Sequence, residues 1–368
     1  MSVDDRDMPA PSVEDPTGAR QIDADPFAAA RLQALTTQEA IQQMTGADMR
    51  QHALKAFSTL GIADSLDDDE FRTSDELAEI CQAEPQMMAR FLYAMHARGV
   101  LTTDEHGRYG LTSLGQALRS GGAMWAALGV ITSPLWQQAG DNLAATICTG
   151  HPHALNGEET PYPLLAAHPG LAGMFDTFMS SRTTGLAATL AARSFAGFRT
   201  VADLGGGDGT LLAALLTAHE HLDSILIEQA DVTARTEHRL IERGLAGRVE
   251  IIAGDIFNDP CPAADLIILS SILHNWDDPT NLRLLSNARQ AMLSAGPHAK
   301  LWIVEVPLPV PGIHNHGIDL DLRMMSLFAG GQERTMPQYY DLLARAGLKI
   351  IDVSPLPSDH ALMIAMVN

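Results

Sequence analysis

Two features of the sequence predict an α/β fold, in which a mainly helical N-terminal region is followed along the chain by a Rossmann-like sheet. Beyond residue 200, short apolar runs alternate with helical stretches, which is typical of a parallel sheet covered on both faces. A glycine-rich loop follows the first of these runs, where such sheets bind ligands. Seven strands are predicted, at 200–204, 224–228, 249–253, 265–270, 300–305, 349–354 and 361–367. The last two are too close for a helical crossover, so they are expected to pair antiparallel at the sheet edge.

Length and composition fit a chain of two globular domains. The 368 residues exceed the usual size of a single core, and the hydrophobic share of 46% is near the globular average. A formal net charge of -21 would repel a nucleic-acid backbone. Cys81, Cys148 and Cys261 lie far apart, which indicates neither a disulfide framework nor a zinc site. We therefore expect a cytoplasmic protein that binds no nucleic acid.

The N-terminus does not resemble a targeting segment. It carries acidic residues and prolines where a signal peptide needs a basic start and an apolar run. No apolar stretch approaches the roughly 20 residues that span a bilayer, so no membrane association is expected. Residues 1–25 are predicted to form a disordered tail.

Residues 26–120 have the pattern of a winged-helix domain. An S/T-x-x-E capping box at 73–76 opens one helix, Pro85 opens a second, and a short hairpin follows. DNA binding is disfavoured because the hairpin tip carries Asp104 and Glu105. We interpret this region as a packing or dimerisation domain.

The rest of the chain divides into two segments. Residues 121–185 have broad apolar faces at helical spacing and no strand pattern, so a helical linker that contributes to a substrate pocket is predicted. Residues 186–368 contain the sheet and the glycine loop, and they are predicted to form the catalytic domain.

The glycine loop and three carboxylates predict an adenosyl ligand. Glycines allow the backbone to turn sharply and approach a ligand closely, but neither G-x-G-x-x-G nor G-x-x-x-x-G-K-S/T is present. A nucleoside without a pyrophosphate is therefore favoured. Glu228 ends the second strand, where an acid accepts hydrogen bonds from ribose hydroxyls, and Asp255 follows the third, within reach of an adenine amino group. With Asp203, these acids mark the carboxyl ends of three consecutive strands.

The motifs resemble those of the O-methyltransferases of the plant caffeate and bacterial polyketide type. The resemblance covers nearly the whole chain after the tail. It is carried by Asp203-Leu-Gly-Gly-Gly-Asp-Gly209, Gly254-Asp255, Leu273-His-Asn-Trp-Asp-Asp278, Glu305, Asp321-Leu-Arg-Met-Met325 and Gly330-Gly-Gln-Glu-Arg-Thr335. It implies S-adenosylmethionine as cofactor, a small aromatic hydroxyl as acceptor, a role in secondary metabolism, and a homodimer formed through the winged-helix domain.

The resemblance also implies roles for individual residues. His274 would be the general base, flanked by Glu305 and Glu333. Gly205, Glu228, Asp255 and Ile256 would hold the cofactor, with Trp276 packed near the adenine. Apart from the resemblance, Asp203, Gly207 and Ser270 are also expected to bind the cofactor. The expected acceptor pocket is lined by Phe175, Met179, Met324 and Phe328.

The chemistry expected at His274 is proton removal from the acceptor. A phenol, with a pKa near 10, is within reach of an imidazole base, and a neighbouring carboxylate would stabilise the imidazolium. Asn275 stands where such enzymes commonly have aspartate, which argues against a His-Asp metal pair. His151, His153, His314 and His316 lie in loops without cysteine partners, so no metal site is predicted.

Two other functions remain open from the sequence. A relative with the same fold and cofactor could instead catalyse a decarboxylation, a hydroxylation or a pericyclic step, although an intact His274 with both glutamates argues against it. A ligand-binding regulator built on the winged helix is the second alternative.

Overall fold

The computed structural model describes residues 36–245 and 247–368. The predicted tail at 1–25 and the first ten residues of the predicted winged-helix domain lie outside these ranges.

The N-terminal region folds as the sequence predicts. Its elements are α1 (Thr37–Thr45), α2 (Ala47–Thr59), α3 (Ser74–Ile80), α4 (Pro85–Ala97), β1 (Leu101–Thr103), β2 (Tyr109–Leu111) and α5 (Ser113–Gln116). The predicted capping box is present, because the Thr73 hydroxyl accepts from Glu76 N–H at 3.2 Å while the Glu76 carboxylate accepts from Thr73 N–H at 2.7 Å. Strands β1 and β2 pair antiparallel over a core that includes Phe57 and Leu92.

The middle of the chain is helical and ends in one long helix. Its elements are α6 (Ala123–Ile131), α7 (Pro134–Asp141), α8 (Leu143–Thr149), a 3₁₀ turn (His153–Leu155), α9 (Tyr162–Ala166) and α10 (Pro169–Ala191). Helix α10 packs closely on α6, where the Met174 sulfur leaves no room for a Cβ at Gly129. Its last turns bury Leu186 and Leu190 against the sheet. The boundary predicted at residue 185 therefore falls inside a continuous helix.

The catalytic region contains the predicted seven-stranded sheet. In chain order its elements are β3 (Thr200–Leu204), α11 (Thr210–Ala218), β4 (Asp223–Glu228), α12 (Ala230–Glu242), β5 (Val249–Ala253), β6 (Leu266–Ser270), α13 (Asp278–Ala295), β7 (Lys300–Glu305), α14 (His316–Leu327), α15 (Met336–Arg345), β8 (Leu348–Pro355) and β9 (Ala361–Val367). The strand order is β5-β4-β3-β6-β7-β9-β8, and the first five strands are parallel. Strand β9 pairs antiparallel with both β7 and β8, which confirms the predicted pairing of the last two strands.

Alternate residues of the central strands pack on opposite faces of the sheet. Leu269 and Ile303 join a cluster that includes Leu285 of α13, whereas Ile268 and Val304 face α10 and α11. Both faces are thus covered, as the apolar runs predict. The strand order reverses between β3 and β6, so a crevice opens at their carboxyl ends.

Within 36–245 and 247–368, no helix combines the length and hydropathy that a membrane crossing requires. The cytoplasmic location expected from the sequence stays a prediction.

Candidate active site

Backbone conformation explains the glycines after β3. Gly205, Gly207 and Gly209 have φ of +72°, +56° and +76°, a left-handed region that other residues rarely adopt. A Cβ on Gly205 would also lie 2.6 Å from the Ile272 side chain. The loop therefore depends on glycine for both its turn and its space, and it ends at the start of α11.

Two predicted carboxylates lie against this loop. The Glu228 carboxylate accepts from Gly207 N–H at 3.1 Å and from Gln229 N–H at 2.7 Å, which fixes it at the end of β4. Asp203 is buried. Its burial, together with the charges of Glu228 and Asp208, raises the pKa of Asp203 to about 7. A Cβ on Gly206 would lie 2.8 Å from Asp203 Oδ2, so Asp203 lies directly against the loop, as Glu228 does.

The third carboxylate lies at the end of β5 beside an aromatic pair. Asp255 is exposed and accepts from Phe257 N–H at 2.9 Å. The rings of Phe257 and Trp276 meet edge to face, with centroids 4.8 Å apart. Ile256 lies 3.8 Å from the position of a Cβ on Gly205. The sequence analysis included Asp255, Ile256 and Trp276 but missed Phe257, whose partner is distant in the chain.

A sharp turn after β6 directs the chain into the crevice. Ser270, a predicted cofactor residue, ends the strand opposite Val304. Ser271 follows with φ of +55°, and its N–H donates to the Val304 carbonyl at 2.9 Å. A left-handed serine is strained, so the surrounding contacts must hold it in place. The 3₁₀ turn Leu273–Asn275 follows directly and carries His274.

His274 and the two predicted glutamates form one buried cluster. His274 Nδ1 lies 2.7 Å from Glu333 Oε1 and 3.5 Å from Glu305 Oε2. Glu305 Oε1 accepts from the backbone N–H groups of Ile272 and Leu273 at 3.1 and 2.8 Å. Since Glu333 occupies Nδ1, Nε2 is the ring nitrogen that remains for proton transfer.

Opposing effects set the proton affinity of this cluster. Burial lowers the pKa of His274. The charge of Glu305 raises this pKa, as do the hydrogen bond and the charge of Glu333. These raising effects outweigh burial, so the pKa of His274 lies above its ordinary value. Burial raises the pKa of Glu305 to about 7, against the lowering effect of His274. The cluster thus stabilises an imidazolium at His274.

The same cluster has the spacing of a metal site. His274, Glu305 and Glu333 each offer one candidate ligand atom, and these three atoms lie within 4.8 Å of one another. Among the described residues, no other group of three His, Cys, Asp or Glu side chains has this spacing. Of the histidines predicted to lie in loops, His153 is in the 3₁₀ turn, with Nε2 2.9 Å from the Thr149 hydroxyl, and His314 Nε2 is 3.6 Å from Asp319. Catalysis without a metal stays a prediction.

A buried arginine connects the His274 turn to the Glu333 loop. Arg334 is 1% exposed, and its guanidinium donates to the carbonyls of Leu273 and Trp276, each at 2.9 Å. It also forms two hydrogen bonds with Asp278 Oδ1, at 3.1 and 2.9 Å. Asn281 donates to the same two carbonyls at 2.8 and 3.0 Å. Sequence reasoning included Arg334 in a motif without giving it a role.

A group of aromatic side chains lies beside the His274 turn, where Asn275 Nδ2 is 3.5 Å from the Tyr162 hydroxyl. Tyr162 contacts Phe175 and Phe328, with centroids 6.5 and 5.9 Å apart, and Trp136 lies 5.9 Å from Phe175. Sequence reasoning missed Tyr162 as a site residue. Met324 and Phe328 are both buried in one apolar cluster, against which Trp136 and Tyr162 pack.

Of the four predicted lining residues, Phe175 and Phe328 both contact Tyr162, and Met324 shares a buried cluster with Phe328. Met179 is half-buried on α10, one turn beyond Phe175. The lining role of all four stays a prediction.

Comparisons with known proteins agree on one family. The profile of an O-methyltransferase domain matches residues 160–349, and that of an O-methyltransferase dimerisation domain matches residues 42–121. The 2,7-dihydroxy-5-methyl-1-naphthoate 7-O-methyltransferase of Streptomyces carzinostaticus is 33% identical over 318 residues, which cover 83% of this chain and 91% of that protein. The phenazine O-methyltransferase PhzM of Lysobacter antibioticus is 33% identical over 328 residues, which cover 88% and 94%.

A solved structure agrees with these matches. It is an O-methyltransferase from neocarzinostatin biosynthesis in complex with S-adenosylmethionine and 2-hydroxy-5-methyl naphthoic acid. Its TM-score is 0.69 at 31% identity, and the match covers 87% of this chain and 96% of that one.

The contacts of Arg334 predict a large loss of stability when they are removed. Arg334→Met should lower the free energy of unfolding by about 3 kcal/mol, because two carbonyls and Asp278 lose a buried charged donor. Urea unfolding measures this change. Arg345→Met is the control, since Arg345 binds the same Asp278 from the surface and should cost less than about 1 kcal/mol. Equal losses for the two variants would contradict the role given to Arg334.

Proposed function

Because this chain belongs to the S-adenosylmethionine-dependent O-methyltransferase family, we propose that it methylates a hydroxyl of a small aromatic acceptor with His274 as general base. The family, the enzyme class and the cofactor predicted from the sequence are confirmed by these matches. The proposed role of His274 as base rests on one observation. His274, Glu333 and Glu305 form a buried cluster at the carboxyl edge of the sheet.

The residues around the glycine loop fit the cofactor. A Cβ would fill the space beside Gly205, and Glu228 offers acceptors to the two ribose hydroxyls. Asp255 would accept from the adenine amino group, and Trp276 would pack near the ring. When bound, S-adenosylmethionine supplies a methyl group on a positively charged sulfur.

The residues on the other side of the crevice would prepare the acceptor. Methyl transfer is an in-line displacement, so the acceptor oxygen must be aligned and water excluded. His274 Nε2 would take the hydroxyl proton as the oxygen attacks, and Glu333 at Nδ1 would stabilise the resulting imidazolium. The aromatic group of Tyr162, Phe175 and Phe328 offers an apolar wall for a planar ring.

Mass spectrometry of a phenol panel incubated with the protein and S-adenosylmethionine tests the proposed reaction. The expected product is heavier than its acceptor by one methyl group in place of one hydrogen. A product formed by loss of carbon dioxide or by gain of oxygen would instead support a relative that has diverged to other chemistry.

Glu228 is predicted to hold the cofactor. Glu228→Ala should weaken S-adenosylhomocysteine binding roughly tenfold or more, because the ribose loses a charged acceptor. The change is measured as a smaller rise in melting temperature on adding S-adenosylhomocysteine. Glu237→Ala removes an exposed carboxylate of α12 and should keep the full rise. An equal rise with NAD in the unaltered protein would refute this assignment of the glycine loop.

Removal of the base is predicted to slow turnover and change its pH dependence. His274→Gln should lower turnover by roughly 10²- to 10⁴-fold, the usual contribution of a placed general base. Its residual rate should rise toward high pH as the free phenol ionises, whereas the unaltered enzyme should level off once His274 is neutral. Near-normal turnover of the variant at neutral pH would leave alignment alone as the source of catalysis.

A companion variant tests the direction of the pKa effect. Only neutral His274 accepts a proton, so turnover falls as pH drops below its pKa, which lies above the ordinary value. Glu333→Gln removes a charge that raises this pKa. The acidic limb of the pH profile of kcat should therefore move to lower pH, and the plateau value of kcat should fall. An unmoved limb would contradict the pairing at Nδ1.

We also propose that the chain is a homodimer formed through the dimerisation region. Met44 and Met49 lie within the matched residues 42–121 and are 69% and 66% exposed, and the neighbouring Ile41 is 56% exposed. Such a run of exposed apolar side chains marks an interaction surface.

The dimer is tested by placing charges on this surface. The double variant Met44→Glu/Met49→Glu should halve the mass measured by light scattering, because two carboxylates would be desolvated at the interface. Leu293→Glu alters an equally apolar, 49% exposed position on α13 and should leave the mass unchanged. A monomer for the unaltered chain would refute the proposal.

A further inference from the structure

Asp208 connects the glycine loop to two helices outside it. Its Oδ2 accepts hydrogen bonds from the Ser180 hydroxyl of α10 and from the Arg239 guanidinium of α12. Its Oδ1 accepts from Thr210 N–H at 3.0 Å, which fixes the carboxylate at the start of α11. Arg239 Nη1 also donates to the Ser180 hydroxyl at 2.8 Å. Ser180, Asp208 and Arg239 are therefore bonded to one another in all three pairs, and this set is called the Asp208 link.

The Asp208 link is partly shielded from water. The Asp208 side chain is 17% exposed and that of Arg239 is 33% exposed, so their attraction is stronger than that of a fully hydrated pair. The Ser180 hydroxyl has the Asp176 carbonyl of its own helix as a second acceptor at 2.8 Å, but a carboxylate is the stronger acceptor. A second ion pair, Arg235 with Asp176, also joins α12 to α10. Because Arg235 is 48% exposed, that pair contributes little.

Helix α12 contacts the cofactor loop next to Asp208. Thr236 is fully buried and donates its hydroxyl proton to the Gly207 carbonyl at 2.6 Å. A Cβ on Gly209 would lie 3.4 Å from the Thr236 side chain, so the loop packs directly on this helix. On the other side of the same peptide, Gly207 N–H donates to Glu228. The loop residues that fit the cofactor are thus held by α12 and Glu228, and Asp208 extends this set of contacts to α10.

Ser180 lies on the helix that also carries two predicted acceptor residues. Phe175 and Met179 precede it by five residues and one residue within the continuous helix α10. The Phe175 ring contacts the rings of Trp136 and Tyr162, with centroids 5.9 and 6.5 Å apart. Over such a short distance a helix moves as one rigid element. A contact that fixes Ser180 therefore also fixes the position of Phe175.

We propose that the Asp208 link couples the two binding sites, so that cofactor binding at the glycine loop orders α10 for the acceptor. Bound cofactor limits the movement of the loop, and Asp208, which belongs to the loop, then limits the movement of α10. Ser180 and Arg239 are positioning residues in this arrangement. The effect on the acceptor rests on the proposed function, whereas the link itself is measured with the cofactor product alone.

Hydrogen–deuterium exchange of the full chain measures the link without turnover. Saturating S-adenosylhomocysteine should slow exchange of the loop amides at 205–209, and it should slow the α10 amides at 175–184 roughly fivefold or more. Ser180→Ala removes the contact with α10 and leaves the pair of Arg239 with Asp208. This variant should keep the slowing at the loop and lose most of the slowing at α10.

Two results of this experiment would overturn the proposal. Slowing at α10 that is unchanged in Ser180→Ala would show that the ligand orders the helix by direct contact. Absence of slowing at α10 in the unaltered chain would show that no coupling exists. Ser181→Ala is the matched control, because the Ser181 hydroxyl donates to the Phe178 carbonyl within its own helix at 2.7 Å. Ser181→Ala should keep the slowing at both segments, and an equal loss in both serine variants would reduce Ser180 to a structural role.

Substitutions of Arg239 test the other end of the link. Arg239→Met should also lose most of the slowing at α10, because Ser180 and Asp208 lose their common donor. Arg239→Lys keeps the positive charge and should recover part of the slowing. Arg243→Met makes the same change in net charge at an exposed position just after α12 and should have no effect. Equal effects of Arg239→Met and Arg243→Met would overturn the assignment to this contact.

The methylation assay separates this inference from the proposed function. With a phenol that the panel shows to be methylated, Ser180→Ala should raise the KM for the acceptor roughly tenfold, while the Kd of S-adenosylhomocysteine without acceptor stays within about twofold. An unchanged KM would overturn the coupling. Ser180-dependent slowing of α10 without any methylated product would support the link and refute transfer to phenols. Methylation by a protein whose α10 exchange ignores S-adenosylhomocysteine would support transfer and refute the link.

Discussion

The guanidinium of Arg334 holds together the two loops that form the catalytic cluster. It is fully buried, so its charge is tolerated only because Asp278 and the carbonyls of Leu273 and Trp276 accept its hydrogen bonds. Those carbonyls flank His274, and Glu333 immediately precedes Arg334 in the chain. One set of contacts therefore fixes both the base and its carboxylate partner. Catalysis gains from this arrangement because groups fixed before the reaction need no reorganisation during it.

Two local features of the site lie next to these loops. Ser271 adopts a left-handed conformation that is strained for serine, and it directs the chain from β6 toward His274. Gly331 approaches the His274 turn so closely that a Cβ there would lie 2.5 Å from the Phe328 Cβ and 3.3 Å from the His274 carbonyl. Such strain and close approach persist only where neighbouring contacts determine the structure strongly. Ser271 is held by the Val304 carbonyl and the Asn275 amide, and the contacts of Arg334 hold the His274 turn on which Gly331 packs.

The sheet and the glycine loop could be predicted from the sequence because both depend on neighbours along the chain. Apolar runs give the strands, and the loop follows the first of them. The roles of Arg334 and Tyr162 could not be predicted, because they arise from packing between distant segments. Arg334 meets carbonyls 58 and 61 residues away, and Tyr162 meets Asn275 across 113 residues. The periodicity of apolar residues shows whether a segment is amphipathic or apolar. It does not show which distant residue packs against that segment in the folded chain.

The charges around His274 also explain how its basicity is set. Two glutamates raise its pKa, and acting alone they would favour a permanent imidazolium that accepts no proton. Burial and the charge of Arg182 act in the opposite direction and limit the rise.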